Sequence, residues 1–327
     1  MQTRALGRTG ERVGALGFGC MGLVGWYGAR DDAEARATLH QAIDCGVNHL
    51  DTASSYQLGE NERFVGSAIR ERRSHVFLAS KYGITRTAQG TIVIDNRPAS
   101  LRSAVAASLE RLGTEYIDLY YLHRIDRTVP IEDSVGALAA LVAQGKIRYI
   151  GLSECSVPTL RRACAVHPIT AVQAEYSLWT HDPEAGLLQA CRELGVSFVA
   201  YAVLGRGFLA GNFRTLEELP PQDIRRSQPR FQADTTPHNA RIVAHLHELA
   251  RRKGCTAPQL ALAWVLAQGE HLVPLAGMKT RAHLSNNLGA LEITVSAQES
   301  AELRSLVAQL GVRGERYPPA MLRELGG

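Results

Sequence analysis

Four ionisable residues follow the apolar runs of three strand-like segments. Asp51 ends the first run and Tyr56 comes shortly after it, Lys81 ends the second run, and His123 ends the third. In a parallel α/β barrel the carboxyl ends of all strands meet at one rim, where active sites lie. We therefore expect these side chains to converge. A carboxylate, a phenol, an amine and an imidazole in one pocket indicate a tuned general acid.

Tyr56 is the candidate acid of this group. A free phenol has a pKa of about 10, which is too high for efficient proton exchange at neutral pH. A nearby Lys81 ammonium would favour the phenolate and lower the pKa of Tyr56. Asp51 would pair with Lys81 and keep it charged, and His123 would orient a substrate carbonyl by hydrogen bonding. The alternative is a structural Asp51–Lys81 ion pair beside an unrelated tyrosine and histidine, and the placement of all four on one rim favours the catalytic interpretation.

The chemistry open to such a group is proton transfer to or from an oxygen. The sequence shows neither a metal-ligand pattern nor an activated serine or cysteine beside it. Reduction of a carbonyl also needs a hydride, which no side chain supplies, so a nicotinamide cofactor is implied.

The elements that must position these residues alternate along nearly the whole chain. Eight strand–helix repeats imply a parallel sheet, and eight of them favour closure into a (β/α)8 TIM barrel of the α/β class. We expect one domain over residues 1–327. The predicted barrel strands are Leu16–Phe18, His49–Asp51, Val76–Lys81, Ile117–His123, Ile147–Ser153, Ala171–Tyr176, Ser197–Ala202 and Leu272–Ala276.

Three additions to the bare repeat are expected. Thr3–Leu6 and Arg12–Val13, around Thr9 and Gly10, predict an N-terminal hairpin at the barrel bottom. A long polar loop, residues 203–238, follows the seventh strand, and loops of this length are usually functional lids or binding loops. Extra helices follow that loop, and a C-terminal helix is predicted over Ala297–Gln309. A regular helix is also predicted over Glu184–Leu194 before the seventh strand.

Composition describes an ordinary soluble globular protein. The 327 residues carry a net charge of +4 and are 45% hydrophobic. The basic clusters fall at the ends of predicted helices, where cations are favourable, so we expect no nucleic-acid partner. No apolar run reaches the roughly 18 residues of a membrane span, and the start of the chain lacks the apolar core of a signal peptide. Six scattered cysteines form no CxxC pair, which argues against a zinc site and predicts a reducing, cytoplasmic setting.

Several motif matches are set aside on context. Gly17–Gly22 fits the dinucleotide fingerprint GxGxxG, but the residues after it are poor helix openers, as that motif requires. We interpret its glycines as backbone passing close to a ligand at a barrel rim. No tyrosine has a lysine four positions later, which argues against a short-chain dehydrogenase. His245 and His247 mimic a metal-binding pair but lie within a predicted helix, where alternate residues point in different directions.

Three long segments, in the right order, resemble the signatures of the aldo-keto reductases. They are Asn48–Glu62, Arg111–His123 and Gly277–Ala290. Shorter segments, Gly145–Glu154, Pro229–Gln232 and Gly314–Pro318, further resemble the branch that contains plant perakine reductase and its bacterial relatives. The resemblance covers almost the whole chain and implies the barrel fold, NADP(H) as cofactor and a small-molecule carbonyl substrate.

The resemblance also implies residue roles. Asp51, Tyr56, Lys81 and His123 would form the catalytic tetrad, with Tyr56 giving the proton while NADPH gives the hydride. The expected cofactor contacts are Ser153 and Gln173 at the carboxamide, Tyr201 at the nicotinamide ring, Leu204, Gly205 and Gly207 at the pyrophosphate, Lys279 with Arg281 and His283 at the 2′-phosphate, and Asn287 with Asn286 at the adenine. Gly19, Met21 and Asp51 would also contact the cofactor.

The chain departs from the family pattern at three places near the cofactor. Glu154 follows Ser153 where many relatives have an asparagine after the fifth strand, as it does in the branch that this chain resembles. Ala202 and Val203 replace the Ser-Pro pair usual after the seventh-strand aromatic, which removes one expected phosphate hydrogen bond. Asn286 stands where many relatives have a glutamate near the adenine. For the phosphate end there is also an independent argument, because Lys279 and Arg281 follow a strand at a helix start, where backbone N–H groups favour anions.

The leading functional hypothesis is an NADPH-dependent aldehyde or ketone reductase. Its substrate pocket would be walled by Trp26, Tyr27, Ile84 and Arg124, although Trp26 and Tyr27 could equally pack within their loop. The alternative is a cofactor-binding regulatory or redox-sensing subunit with little turnover, such as the potassium-channel β subunits of the same superfamily. The identity of the carbonyl compound and the oligomeric state stay open.

Overall fold

The computed structural model describes residues 1–87 and 91–327. Within these ranges the strands are β1 (Thr3–Ala5), β2 (Arg12–Gly14), β3 (Gly17–Gly19), β4 (His49–Asp51), β5 (Phe77–Tyr82), β6 (Ile84–Arg86), β7 (Ile92–Ile94), β8 (Ile117–Leu122), β9 (Ile147–Ser153), β10 (Ile169–Glu175), β11 (Ser197–Tyr201) and β12 (Leu272–Gly277). The α-helices are α1 (Asp32–Asp44), α2 (Glu60–Ile69), α3 (Pro98–Leu112), α4 (Ile131–Ala143), α5 (Val157–Val166), α6 (Leu187–Leu194), α7 (Thr236–Arg252), α8 (Ala257–Leu266), α9 (Arg281–Leu288), α10 (Ala297–Leu310) and α11 (Pro319–Leu322).

Eight of these strands close into a barrel. β3, β4, β5, β8, β9, β10, β11 and β12 pair in chain order, all in parallel, and β12 pairs with β3 to complete the ring. Leu275 lies opposite Gly17 at this closure, and a Cβ on Gly17 would come within 2.5 Å of the Leu275 side chain. A larger residue at position 17 would therefore require the Leu275 side chain to move where the barrel closes. The predicted (β/α)8 barrel is confirmed, and it directs the carboxyl ends of the eight strands to one rim.

The apolar strand residues form two separate cores. The larger core lies between the barrel and the surrounding helices. The smaller one fills the barrel interior and includes Phe77, Leu119 and Val199. Leu6 and Val13 from the β1–β2 hairpin belong to this inner core, so the hairpin plugs the bottom of the barrel as predicted. Burying a side chain of this size stabilises the fold by about 1.5–3 kcal/mol.

Glycine ends several helices where the sequence predicts, but it also interrupts one. α3 ends at Gly113, which adopts a left-handed conformation with φ 61°. The single helix predicted over Glu184–Leu194 is wrong, because α6 begins only at Leu187 and a separate 3₁₀ turn occupies Asp182–Ala185. Gly186, at φ 124°, separates the two, since such a φ value does not belong to a right-handed helix.

Two rim elements were not expected from the sequence. A short antiparallel hairpin, β6–β7, follows β5. A five-residue 3₁₀ helix forms over Cys20–Val24 and ends at Gly25, with φ 92°. The expectation that no helix opens after the glycine motif was therefore wrong for one short turn, although the parallel barrel around it is not a dinucleotide-binding doubly wound sheet.

The predicted loop of residues 203–238 is packed rather than extended. Phe208, Phe213 and Phe231 from this loop form a cluster with Trp179, and the Trp179 and Phe208 rings stack with centroids 5.5 Å apart. Short 3₁₀ turns fill the rest of the loop. Aromatic pairs contribute about 0.5–1.5 kcal/mol beyond their burial, so the cluster fixes this loop against the rim.

The C-terminal segment, residues 314–327, returns to the same rim. The Gly326 N–H donates to the Glu154 carbonyl at 2.9 Å, and the Ser156 N–H donates to the Gly327 carbonyl at 3.1 Å. Arg316 pairs with the Glu154 carboxylate through two hydrogen bonds of 2.8 and 3.0 Å. These contacts place Tyr317 over the end of β11.

Among the helices described, none combines the length and the apolar character that crossing a bilayer requires. All six cysteines are free thiols.

His49 is expected to make the stability of the fold sensitive to acid. Its buried imidazole has no hydrogen-bond partner, and burial lowers its pKa to about 4. The unfolded chain takes up a proton below about pH 6.5 while the folded chain does not. Stability contributed by the neutral ring is therefore present above pH 6.5 and lost as the pH falls towards 4, by up to about 1.4 kcal/mol per pH unit.

We expect His49→Leu to flatten this dependence. Urea unfolding between pH 7 and pH 5 measures the free energy of unfolding for both proteins. His75→Leu, at an exposed histidine, is the matched control and should keep the wild-type slope. Equal slopes for wild type and His49→Leu would show that His49 does not carry this acid sensitivity.

Candidate active site

A buried ion pair lies at the carboxyl ends of β4 and β5. Lys81 is 0% exposed, and its ammonium contacts Asp51 Oδ1 and donates to the Thr52 carbonyl at 2.8 Å. The other carboxylate oxygen, Asp51 Oδ2, accepts a 2.8 Å hydrogen bond from Gln173 Nε2. A buried charge is stable only when it is paired and hydrogen-bonded. Gln173 thus helps to fix the pair, in addition to the cofactor contact predicted for it.

A second layer of polar residues supports the loop after β4. The Thr52 hydroxyl donates to Asn61 Oδ1 at 2.6 Å. Ser80 donates to one oxygen of the buried Glu62 carboxylate at 2.5 Å, and Arg111 donates to the other at 2.6 Å. These hydrogen bonds join β4, α2, β5 and α3. They give a physical reason for the polar residues of the first two signature segments beyond the tetrad.

Tyr56 lies half-buried beside this pair. The Lys81 ammonium is 5.3 Å from the centre of the Tyr56 ring, over its face. Burial, followed by the negative charge of Asp51, raises the pKa of Tyr56 well above 10. The expectation that Lys81 lowers this pKa is therefore wrong, because burial and the charge of Asp51 raise it. The ammonium is held by Asp51 and the Thr52 carbonyl.

His123 completes the group in its neutral form. Its ring lies edge-on to Tyr56, with centroids 5.8 Å apart. Burial, with further contributions from the charges of Arg124 and Lys81, holds the pKa of His123 well below 6.5. Ser55 Oγ lies 3.3 Å from Nδ1 of the imidazole. A hydrogen bond donated by Ser55 would place the ring proton on Nε2.

A cavity of about 1370 Å³ opens at this rim. Its wall contains three of the four tetrad residues, since Lys81 lies behind Asp51, and all four predicted substrate-pocket residues. The predicted residues that line it are Gly19, Met21, Trp26, Tyr27, Asp51, Tyr56, Ile84, His123, Arg124, Ser153, Gln173, Tyr201, Leu204, Gly207, Lys279 and His283.

Four predicted cofactor contacts do not line this cavity. Gly205 packs against Trp179, where a Cβ would meet the indole at 2.7 Å. Asn287 is buried, and the Asn286 side chain accepts a hydrogen bond from Thr256 at 3.0 Å. Arg281, the fourth, is bound by Glu34, as described below. Their proposed roles stay predictions.

One wall of the cavity suits a nicotinamide carboxamide. Ser153 Oγ, at the end of β9, is buried without any hydrogen-bond partner. Gln173 from β10 and Tyr201 from β11 lie beside it on neighbouring strands. A buried hydroxyl without a partner is costly, so a ligand that supplies the missing polar atom fits this position.

The phosphate end is cationic but partly occupied by the protein itself. Lys279 Nζ donates to the Tyr27 and Ala29 carbonyls at 2.6 and 2.5 Å. Arg281 pairs with Glu34 at 2.8 Å, and the same carboxylate accepts the Arg281 backbone N–H at 2.8 Å. Glu34 therefore lies as an anion at the start of α9, where we predict a phosphate. Sequence spacing gave no signal for this contact because Glu34 belongs to α1.

Backbone strain is concentrated at the same rim. In the described ranges the non-glycine residues with positive φ are Gln57, Leu58, Glu154, Ala202 and Arg206. Each follows the carboxyl end of a barrel strand. Left-handed conformations of such residues cost about 1–3 kcal/mol and persist where the surroundings enforce them, often at functional sites.

In the described ranges no cluster of three or more His, Cys, Asp or Glu is arranged to hold a metal ion. His245 and His247 both lie on the exposed side of α7, and His245 Nδ1 contacts the Arg241 carbonyl at 2.8 Å.

Comparisons with known proteins agree with this geometry. The sequence model of the aldo/keto reductase family matches residues 15–308. The aldo-keto reductase yakc (NADP(+)) from Schizosaccharomyces pombe is 42% identical over 323 residues, covering 97% of this chain and 94% of that protein. A probable aldo-keto reductase 1 from Glycine max is 43% identical over 319 residues, covering 97% and 92%.

Solved structures show the same fold over nearly the full length. A glycerol dehydrogenase from Gluconobacter oxydans superposes with a TM-score of 0.86 at 27% identity, covering 97% of this chain and 98% of that one. The holo form of an aldo-keto reductase from Bacillus halodurans gives a TM-score of 0.74 at 30% identity, with 98% and 99% coverage. This chain belongs to the aldo/keto reductase family.

The Asp51–Lys81 pair yields a stability prediction. We expect Asp51→Asn to lower the free energy of unfolding by about 3–5 kcal/mol, because it leaves a buried ammonium without a counter-charge. Urea denaturation measures the loss. The double variant Asp51→Asn with Lys81→Met should be more stable than Asp51→Asn alone, because the unpaired charge is gone. A double variant as unstable as the single one would contradict this account.

Proposed function

We propose that this protein reduces an aldehyde or ketone to the alcohol with NADPH, using Tyr56 as the proton donor. The observation that carries the proposal is the group formed by Tyr56, neutral His123 and the buried Asp51–Lys81 pair at the wall of one cavity. Membership of the aldo/keto reductase family supports the same reaction class. We further infer that residues 1–327 act as one domain, since all these groups come from one barrel.

In this proposal each residue has a defined task. Bound NADPH supplies the hydride for the carbonyl carbon. Tyr56, whose raised pKa keeps its hydroxyl protonated at neutral pH, donates the proton to the carbonyl oxygen. The nearby Lys81 ammonium stabilises the negative charge that this donation leaves on the phenol oxygen. His123 donates from Nε2 to the carbonyl oxygen and orients the substrate.

The cofactor assignment rests on the fit of the cavity wall. Ser153 and Gln173 would hold the carboxamide, Tyr201 would contact the nicotinamide ring, and Lys279 would bind the adenosine 2′-phosphate. The unpartnered Ser153 hydroxyl supports the first contact. The name of the Schizosaccharomyces pombe relative, which carries NADP(+), supports the choice of NADPH over NADH.

The distal part of the pocket favours an apolar or aromatic substrate body. The Trp26 ring lies edge-on to the Tyr56 ring, with centroids 5.7 Å apart. Ile84, Ile92 and Leu58 also line the cavity. Leu58 is 79% exposed. Its backbone is left-handed, which is uncommon for a residue other than glycine. Such a lip suits the apolar surface of an aryl or alkyl aldehyde.

Tyr56→Phe tests the proton donor. Removal of the hydroxyl should lower kcat by about 10²–10⁴-fold, the usual contribution of a general acid. The Kd of NADPH, measured by fluorescence titration, should stay unchanged because the ring remains. Tyr149→Phe, near the N-terminal hairpin, is the matched control and should behave like wild type. Wild-type turnover by Tyr56→Phe would refute the assignment.

Stopped-flow mixing of the enzyme with NADPH and a panel of aryl aldehydes separates the reductase from a regulatory subunit. Loss of NADPH absorbance with a substrate-dependent rate supports the reductase. Tight NADPH binding without hydride transfer to any aldehyde would instead favour the cofactor-sensing alternative.

Lys279→Ala tests the phosphate end. We expect NADPH to bind about 10–100-fold more weakly, because a charge-assisted hydrogen bond is lost, while NADH affinity changes little. Isothermal titration with both cofactors measures this difference. Glu34→Gln is the opposing variant, because it frees Arg281 from its counter-charge and should improve NADPH binding relative to NADH. Equal losses for both cofactors in Lys279→Ala would exclude a 2′-phosphate role.

A further inference from the structure

Arg124 is a buried cation that pairs directly with no carboxylate in the described ranges. The residue is 6% exposed and lines the cavity next to His123. Its guanidinium makes one hydrogen bond, from Nη1 to the His123 carbonyl at 2.8 Å. In the described ranges no carboxylate lies within 4.0 Å of it. Burial lowers the pKa of Arg124, but the neighbouring Tyr201, Tyr317 and Glu154 outweigh it and raise the pKa, so the guanidinium stays charged. Its other N–H groups are left to bind a ligand with a negative charge.

Two buried carboxylates at this rim, Glu154 and Glu175, already have other partners, and the charge of Glu154 also acts on Arg124. Glu154 accepts both hydrogen bonds of Arg316, one from the Tyr201 hydroxyl at 2.7 Å and one from the Glu175 N–H at 3.0 Å. Glu175 accepts from Arg230 at 3.1 Å and lies 3.6 Å from Arg206. These two buried carboxylates therefore already interact with the guanidinium groups of Arg316, Arg230 and Arg206.

The guanidinium groups of Arg206 and Arg124 lie in two different parts of the cavity. Arg206 belongs to the loop after β11, between Gly205 and Gly207, where the family resemblance predicts the cofactor pyrophosphate. Arg124 instead follows the carbonyl-orienting His123, on the β8 side of the rim. Its charge acts on both Tyr56 and His123: it adds to the burial that lowers the pKa of His123, and it partly opposes the burial that raises the pKa of Tyr56. A negative group bound by Arg124 thus belongs to the substrate rather than to the cofactor.

We propose that the pocket selects carbonyl compounds that carry an anionic group, a carboxylate or a phosphate, close to the reacting carbon, and that Arg124 binds this group. The inference rests on the reductase function proposed above. Arginine suits this task because its planar fork binds both carboxylate and phosphate oxygens in pairs. The aromatic ring of Tyr317, 5.9 Å from the guanidinium carbon, closes the site from the C-terminal segment.

The test compares substrates that match in shape but differ in charge. The 2-, 3- and 4-carboxybenzaldehydes are paired with the corresponding nitrobenzaldehydes, because a nitro group has the shape of a carboxylate without its charge. A phosphate-bearing aldehyde, glyceraldehyde 3-phosphate against glyceraldehyde, separates the two anion sources. The ratio of kcat/KM between paired substrates is measured with NADPH for wild type, Arg124→Gln, Arg124→Lys and Arg127→Gln.

We expect Arg124→Gln to lower kcat/KM for at least one carboxybenzaldehyde, or for the phosphate-bearing aldehyde, by about 10–100-fold, the value of a buried charge-assisted hydrogen bond. The matching neutral substrate should change little. Arg124→Lys keeps the charge, so its ratio of kcat/KM between the anionic and the neutral substrate should lie between those of wild type and Arg124→Gln. Arg127→Gln removes the same charge from the same loop at an exposed position and should leave the ratio unchanged.

Four outcomes are distinguishable. A larger loss for the carboxylated or phosphorylated substrate identifies the anion that Arg124 binds. Equal losses for charged and neutral partners would overturn the proposal while leaving the reductase function intact. A weaker Kd for NADPH in Arg124→Gln, with an unchanged substrate ratio, would assign Arg124 to the cofactor and also overturn it. If wild type reduces none of these aldehydes, the proposed function itself fails.

If Arg124→Gln does not fold, wild type alone still decides the question. Benzoate should then inhibit nitrobenzaldehyde reduction competitively with the aldehyde, and benzamide, its neutral analogue, should inhibit at least about tenfold more weakly. Equal inhibition by the two would overturn the proposal.

Discussion

The buried ion pair between Lys81 and Asp51 is the interaction on which the rim depends. Neither charge is tolerable in the barrel interior alone, so β4 and β5 must be paired in the register that brings the two side chains together. Gln173 from β10 fixes the far oxygen of Asp51 across the barrel. This requirement links strands from both halves of the fold, and it sets the position of Tyr56 over the ammonium.

Neutrality of the neighbouring groups follows from the same burial. The pKa of Tyr56 is raised and that of His123 is lowered, so both groups are uncharged at neutral pH. Tyr56 can therefore donate a proton, and His123 can donate a hydrogen bond, without first changing protonation state. The ammonium of the ion pair stabilises the negative charge that develops on Tyr56 as its proton leaves. Stabilisation that grows towards the transition state is the kind that accelerates a reaction.

The rim also shows how chain segments distant in sequence complete one pocket. The C-terminal segment reaches Glu154 through Arg316 and places Tyr317 against Tyr201, with their hydroxyl groups 2.9 Å apart. The loop after β11 is fixed by its own aromatic cluster. Arginine residues from several of these segments converge on this rim, where Arg206 and Arg230 share the Glu175 carboxylate and Arg316 pairs with Glu154.

The sequence alone determined the barrel and the candidate tetrad. Strand and helix periodicity is local, and the eight repeats left one closed arrangement, so the strand ends and the four ionisable residues could be assigned from their positions. Pro98 and Gly113 likewise marked the ends of α3 correctly, because capping depends on a few adjacent residues. The helix predicted over Glu184–Leu194 shows the limit of such local signals. Gly186 interrupts it with a φ value that depends on the surroundings of the chain.

Only the tertiary structure decided the electrostatics. The direction of the Tyr56 pKa shift was opposite to the sequence expectation, because it depends on burial and on which partner holds Lys81. The pairing of Glu34 with Arg281 joins residues that are far apart in the chain. The interactions of Arg124 with Tyr201, Tyr317 and Glu154 do the same. Charge balance inside a protein is a property of distances and solvent access, and a linear sequence contains neither.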